Sequence, residues 1–391
     1  MKAYAAQEPK GAAVQKHAMT TLITQTAPIA NNTHGGRAKC LQRLVRLDLP
    51  VPRTVALPFD TVLDIARGQT PDIQKIADEF PHDALLCVRP SSQDPDWGGP
   101  GAVVNIGMND ARYEFYCAQM GEGPASALYT RFVQSYAVNI ARLDPDMFDD
   151  VVGDGCEALE ASLRAYALET EESFPQDRVT QLTAVLSSMA RAWEGTSARL
   201  LRQAKGAPAD AGLGLVVQQM VFGVGTGLCG SGVLQLVDST TGLPQITGRY
   251  LSQSQGRDAL QNDADAMFLT RDPRGPSLEE HAPEAFETLT QHAALMRQRL
   301  RAEMQLEFVI SDGELFILDG VRVARSSRAA VRIAVALADE GIISREEALM
   351  RVQPRTLTEL LHRQVDPRAK RDVIGRGIAA SPGAATGKIV F

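Results

Sequence analysis

The chain has little of what would place it in several large protein classes. Its five cysteines, Cys40, Cys87, Cys117, Cys156 and Cys229, are odd in number and scattered. No CxxC pair occurs, so the spacing offers neither a zinc site nor a dithiol redox centre. Reduced, mostly buried thiols of a cytoplasmic protein are the expectation. No run of 18 or more apolar residues occurs, and the N-terminus lacks the compact apolar core of a secretion signal, so no membrane association is expected. Basic residues form no block. With 40 Lys and Arg against 47 Asp and Glu the net charge is −7, which argues against a dedicated nucleic-acid binder and leaves small molecules or proteins as partners. No spacing supports a Ser/His/Asp triad or a Cys/His pair. Internal repeats and low-complexity segments are also absent.

What is present is the composition of a folded protein. Hydrophobic residues make up 44% of 391 positions, enough for two or three domains with a sizeable core. Residues 1–30, rich in Ala, Gln and Thr, read as a flexible leader. From 31 to 110 helical and strand patterns alternate, "AKCLQRLVRLDL" before "PVPRTVALP" and then "ALLCVRP", as in an α/β subdomain. Helical periodicity takes over from 111 to 205, which reads as an insertion. Strand signals return within 206–340, in "GLGLVVQQMVFG" and "GSGVLQLVDSTTGLPQITGRYL". A helical linker is expected over 341–376, with Ser344 as an N-cap. The Gly/Ala/Pro-rich piece 377–391 closes the chain.

The stretch "MQLEFVISDGELFILDG", Met304 to Gly320, reads as a hairpin turning at Asp312-Gly313. Two of its acids lie in apolar surroundings. Glu307 has Leu306 and Phe308 beside it, and Asp319 follows Phe316, Ile317 and Leu318. A carboxylate so placed costs free energy unless a cation or hydrogen-bond donors answer it. A metal site and a half-buried ribbon are both open readings. In "HGGRAKCL", Arg37 opens a helix after two glycines, a geometry that suits an anion, although a surface turn fits as well. Arg89 leaves the strand "LLCV" at a position where ligands commonly sit, with a structural salt bridge as the alternative. Alone, "GVGTGLCGSGV" is a weak phosphate-loop signal, being neither a Walker A nor a Rossmann fingerprint.

Taken together, "GGRAKCLQRLVRLDLPVP", "LLCVRPSS", "NIGMND", "VVQQMVFG", "GRYLSQSQGRD", "MQLEFVISDGELFIL" and "GIAASPGAATGKIVF" resemble, in order and spacing, the N-terminal part of pyruvate phosphate dikinase. The resemblance runs from about residue 30 to 391. It implies an α/β, more closely α+β, ATP-grasp-like fold of two subdomains with a helical insertion, and a truncated phosphohistidine swivel domain at 377–391. It implies an ATP-dependent kinase that needs Mg²⁺ and ATP. The phosphoryl acceptor would be a histidine carrier on another chain or on a further C-terminal part. None of the six histidines stands in the family's phosphohistidine context.

The resemblance also assigns residues. Arg37 stands where the family has a phosphate-contacting Lys, and Arg89 where it keeps a phosphate-binding Arg. Gly98 matches the family's phosphate-covering loop, whose Asp and Thr are here Gly101 and Ala102. Gln218, Met220 and Val221 fall on the segment that meets the adenine edge, and Gly230, Ser231 and Gly232 match a glycine-loop signature. Glu307 aligns with a metal-site Glu. Gln305 takes the place of an Asp and Asp319 that of a Gln, so Gln305, Glu307 and Asp319 form the implied metal set. Arg249 and Arg257 replace two glutamates, and Val321 replaces an Arg. Two reversed charges beside a magnesium triphosphate change the electrostatics substantially. A non-catalytic relative that binds a nucleotide or other anion and acts through a partner protein is therefore the second reading.

Overall fold

The computed structural model describes residues 20–149, 151, 155–255 and 266–361, with isolated positions 370, 372, 375, 386 and 387. Arg257, His17, His362 and, apart from Thr386 and Gly387, the expected swivel segment lie outside the described residues. The chain is α+β, ATP-grasp-like, and built on two antiparallel sheets. The first has the order β1 (Thr21–Leu22), β2 (Thr54–Leu57), β5 (Leu213–Gln219), β3 (Leu86–Ser92), β4 (Val103–Ile106). The second has the order β7 (Pro244–Ser252), β6 (Gly230–Val237), β8 (Met304–Ser311), β9 (Glu314–Arg322). Thr20 to Ala30, within the stretch read as a leader, carries β1 and buries Ile23, Ala27 and Ile29.

Strand alternation explains the placement of the two cores. Val55, Leu57, Leu86, Val88, Leu215 and Val217 point from one face of the first sheet into a core shared with the helices Glu122–Tyr136 and Arg178–Glu194. On the opposite face, Ala56 and Val216 meet helix α1 (Asn31–Arg46), whose Ala38, Leu41 and Leu44 reach a second core. That core takes in Leu234, Tyr250, Leu306, Phe308 and Ile317 of the second sheet, with Leu289, Ala293 and Met296 of the helix Pro283–Leu300. Helix α1 thus joins the two sheets. A third, small core forms where the helix Ser327–Asp339 covers Val237 and Val323.

Local chemistry sets the boundaries. The hairpin β8–β9 turns at Asp312 (φ 49°) and Gly313 (φ 85°), the two left-handed residues of a type I′ turn. Ser344 accepts a hydrogen bond from the Glu347 amide at 3.1 Å, as its position before the acidic turn leads one to expect. Trp193, 2% exposed, ties the helical segment to the first sheet's core. Its indole N–H donates to Ala211 O at 3.1 Å, and the Arg202 guanidinium lies 3.6 Å above its ring. Removing so large a buried ring leaves a cavity and an unanswered carbonyl. Trp193→Ala is therefore expected to lower the unfolding free energy by roughly 3–5 kcal/mol, read from urea denaturation followed by circular dichroism. A loss below about 1 kcal/mol would mean that the indole does not hold the segment in place.

Candidate functional site

The two carboxylates of the hairpin are paired in register, with Glu307 opposite Asp319. Like charges directly opposite in a sheet repel, and the Asp319 side chain is 1% exposed. Cations from the first sheet and α1 resolve the conflict. Arg37 Nε lies 2.7 Å from Asp319 Oδ2, and Arg37 Nη1 donates to Pro90 O. Arg89 Nη2 donates to Glu307 Oε2, while its Nη1 donates to Leu318 O at 3.1 Å and lies 3.8 Å from Asp319 Oδ2. The remaining oxygen of Asp319, Oδ1, accepts from the Gly320 amide at 2.8 Å. Four ionised groups from three separated parts of the chain form one network.

Each arginine is placed by a local device. The strand β3 delivers Arg89 opposite Val216, on the face that meets α1. Helix α1 breaks at Gly35 (φ 84°, ψ 173°), where a side chain would run into the Ser91 carbonyl. The break removes a helical partner from the Ala38 amide. Ser91 Oγ supplies a substitute, accepting from Ala38 N at 3.0 Å and donating to His34 O at 2.7 Å. The resumed helix projects Arg37 at the hairpin. Arg37 is therefore near a helix restart, as the glycine pair suggested, but the amide cap there is Ser91.

Burial fixes the charge states. Desolvation alone would raise the Asp319 carboxyl, but Arg37 and Arg89 more than offset it and hold its pKa below the usual carboxylate value. Desolvation likewise opposes the Arg89 guanidinium, and Asp319 and Glu307 outweigh it, leaving the pKa raised. Two neighbouring thiols are shifted away from the reactive thiolate form. Burial, with Asp319 adding to it, pushes Cys40 up to about 12, and burial raises Cys87 as well.

The other sequence-derived residues divide between this junction and the two cores. Gln218 is buried on the Arg89 face of the first sheet, where its Nε2 donates to Thr54 Oγ1 at 3.1 Å. Met220 packs against the first core, and its sulfur accepts from the Asn105 amide at 3.0 Å. The Val221 carbonyl accepts from Gln255 Nε2 at 3.0 Å. Gly98 (φ 82°) ends the short turn Pro95–Trp97. Gly230 and Gly232 give way to Tyr250 and Phe308, with which a side chain would collide, and Ser231 Oγ bonds Ser254 Oγ at 2.8 Å.

The loop between β5 and β6 has a clamp that the motif reading missed. Gln255 Oε1 accepts from Gly223 N at 2.7 Å, and Gln253 Oε1 accepts from Gly225 N at 3.0 Å. A side chain at Gly227 would meet Asp312 of the hairpin turn, so the loop lies on that turn. The two glutamines follow the end of β7 at Ser252, where Gln253 (φ 50°) leaves the strand conformation, so no strand periodicity announces the clamp.

The implied magnesium set does not fit a metal. Both carboxylates already carry guanidinium partners, and a divalent cation there would enter beside two positive charges. Gln305, two residues along the strand, is opposite Gln235, whose buried Oε1 has no hydrogen-bond partner among the described residues; these are neutral amides. No cluster of three or more His, Cys, Asp or Glu suited to a metal ion occurs among the described residues.

No protein-family model matches the chain. Comparison with curated proteins is decisive instead. The chain is 30% identical over 399 residues to the pyruvate, phosphate dikinase of Rhizobium meliloti, covering 91% of the chain and 44% of that protein. It is 28% identical over 400 residues to the enzyme of Clostridium symbiosum, covering 92% and 45%. It is a divergent relative of the N-terminal part of pyruvate, phosphate dikinase. The similarity extends to a chloroplastic pyruvate, phosphate dikinase of Oryza sativa, at 29% over 331 residues, 78% of the chain and 34% of that protein. This dikinase relative thus spans less than half the length of these proteins. No helix among its described residues is long and apolar enough to cross a membrane.

Removing one partner of the buried network strands the opposite charge. Arg89→Met is expected to cost roughly 3–5 kcal/mol at pH 7, measured by urea denaturation. The sign of the pH dependence follows from Asp319. Its lowered native pKa contributes stability above the unfolded value of about 3.9, and that contribution fades as pH falls through the native pKa. The gap between wild type and variant should accordingly narrow below about pH 4. A gap constant from pH 7 to pH 3 would exclude Asp319 as its source.

Proposed function

We propose that this chain is an ATP-binding phosphotransferase module of the dikinase type, passing a phosphoryl group to a histidine carrier on another chain or on a further part of the same protein. One observation carries the reading. The two arginines assigned to phosphate, Arg37 and Arg89, come from different elements and converge within one network on the acids of the β8–β9 hairpin. Each guanidinium holds one carboxylate oxygen and one backbone carbonyl, Arg37 those of Asp319 and Pro90 and Arg89 those of Glu307 and Leu318, and a planar guanidinium can exchange a carboxylate for phosphate oxygens. The glycine loop between β5 and β6 is held by Gln253 and Gln255, which occupy the Gly225 and Gly223 amides, and its other backbone amides suit a phosphate cradle. In this reading the protein groups position the polyphosphate and meet its charge, which is most of what phosphoryl transfer asks of a protein. Similarity to the dikinases over about 90% of the chain supports the nucleotide as ligand.

A second reading, a non-catalytic relative that binds a nucleotide or other anion and works through a partner, is favoured by one observation. Glu307 and Asp319 are already held by guanidinium groups and not arranged around a metal. Titration calorimetry with ATP, followed by incubation with γ- or β-labelled ATP and a dikinase phosphohistidine domain, separates the two. The module reading expects saturable ATP binding, weakened at least tenfold in Arg89→Met, and acid-labile label on the carrier domain. Binding without label transfer would favour the second reading. No saturable ATP binding would remove the nucleotide from both.

A further inference from the structure

We propose that the seam between the helices Pro283–Leu300 and Ser327–Asp339 is a binding site for a small primary amine with a compact apolar body, and that Glu303 recognises its charge. The inference is independent of the nucleotide reading, because no residue of the arginine network lines this site. It starts from the way the second and third cores meet. The helix Pro283–Leu300 packs into the second core and the helix Ser327–Asp339 into the third. Strand β6 feeds both, with Leu236 against the one and Val237 inside the other. The two cores do not close on each other there. A pocket of about 260 Å³ separates them, walled by Leu236, Val237 and Pro244 from the sheet and by Ile333 and Ala336 from the later helix. An apolar cavity of about 150 Å³ takes up one benzene ring. The larger volume here admits one ring with a short chain, below the roughly 300–1,000 Å³ of pockets for drug-sized ligands.

One wall is charged. Arg297 of the earlier helix has each guanidinium nitrogen on a carboxylate: Nε lies 2.5 Å from Glu303 Oε1, while Nη1 and Nη2 donate to the two oxygens of Glu340, just past the end of the later helix. All of these residues line the pocket, and two carboxylates against one guanidinium leave a negative charge in excess. Arg332 of the later helix donates to Thr241 O at 2.9 Å and stands outside the wall. The excess falls on one atom. Glu303 Oε2 is buried, in a side chain 7% exposed, and has no hydrogen-bond partner among the described residues. A buried carboxylate oxygen without a donor costs free energy. The last torsion of a Glu side chain is broad and roughly two-fold, so the carboxyl can turn Oε2 toward the pocket while its other oxygen stays with Arg297. A primary ammonium supplies the missing donor and the countercharge together, with further N–H groups for Glu340. The apolar walls take the body of the ligand. An anion would meet two like charges and an arginine whose nitrogens are already engaged.

Phenethylamine, phenethyl alcohol and 3-phenylpropionate share a ring and a short chain and differ in the head group. Binding of each to the full-length protein is measured by calorimetry at neutral pH, where a primary amine is protonated, for wild type, Glu303→Gln and Ala336→Phe, with circular dichroism to confirm folding. The expected result is saturable binding of phenethylamine to the wild type, at least tenfold weaker binding of the alcohol and none of the propionate. Glu303→Gln should weaken the amine at least tenfold and leave the alcohol as in the wild type, because the amide keeps an oxygen for Arg297 and the shape of the wall but loses the charge. Ala336→Phe fills the pocket and should abolish binding of both. No saturable binding of phenethylamine, equal affinity for amine and alcohol, or an amine affinity unchanged in either variant would each overturn the proposal. Should Glu303→Gln fail to fold, the head-group comparison in the wild type and the loss in Ala336→Phe decide, with the same outcomes.

Discussion

The pairing of Glu307 with Asp319 on adjacent strands is the constraint around which the rest of the molecule is arranged. A hairpin carrying two buried acids opposite one another is electrostatically unfavourable by itself, and the ribbon's own Gly320 amide answers one oxygen of Asp319 without bringing a countercharge. Relief comes from Arg89 on the first sheet and from Arg37 on the helix between the sheets. The second sheet is thus completed by the first. A buried ion network of this kind adds little net stability compared with apolar packing, because desolvation consumes most of the attraction. What it supplies here is geometry. The guanidiniums have partners in one arrangement of the two sheets, and displacement by a residue or two would leave ionised groups buried without answer.

The apolar packing makes that geometry affordable. Ala56 and Val216 on one face of the first sheet, and Ala38, Leu41 and Leu44 of α1, belong to the same core as Leu306, Phe308 and Ile317 of the hairpin. Small residues at 38 and 56, and Gly214 against the His34 carbonyl, let α1 approach the sheet closely, and the glycine break at 35 with its Ser91 cap lets the helix change direction just before Arg37. The network therefore lies at the edge of a dry core, which removes water from Asp319 and strengthens every interaction it makes. The same enclosure suppresses thiol chemistry at Cys40 and Cys87. The expectation of mostly buried thiols is met at Cys87 and Cys229, whereas Cys40, Cys117 and Cys156 are half-buried.

A site of this construction differs from one organised around a metal. In a metal site, acids converge on a point and their mutual repulsion is relieved when the ion binds. Here the repulsion is relieved by permanent protein cations, so the ligand-free state is already satisfied, and a ligand has to compete with internal partners for the arginines. On the proposed reading such a site would be preorganised, with an affinity set by the difference between phosphate and carboxylate as guanidinium partners. Against the family pattern that the sequence resembles, Gln305 and Arg249 would each remove an acid, while Asp319 in place of a Gln and Val321 in place of an Arg would act in the opposite direction.

Much of this was legible in one dimension. The alternation in β8 and β9, the Asp-Gly turn, the N-cap at Ser344 and the ordered blocks of the dikinase resemblance depend on neighbours within a few residues, where periodicity and backbone preference dominate. The anomaly of Glu307 and Asp319 was equally visible, because a carboxylate among apolar neighbours needs an answering group wherever it is. The identity of that group was not visible. Arg89 and Glu307 are 218 residues apart and Arg37 and Asp319 are 282 apart, distances over which no local pattern carries information. The Ser91 cap and the Gln253 and Gln255 clamp were hidden for the same reason, since each serves backbone groups elsewhere in the chain. Sequence alone determined which groups are chemically unusual and which fold could hold them. Tertiary structure decided that the acids and the arginines answer one another, because only packing two sheets across α1 brings charges so remote in the chain into contact without water between them.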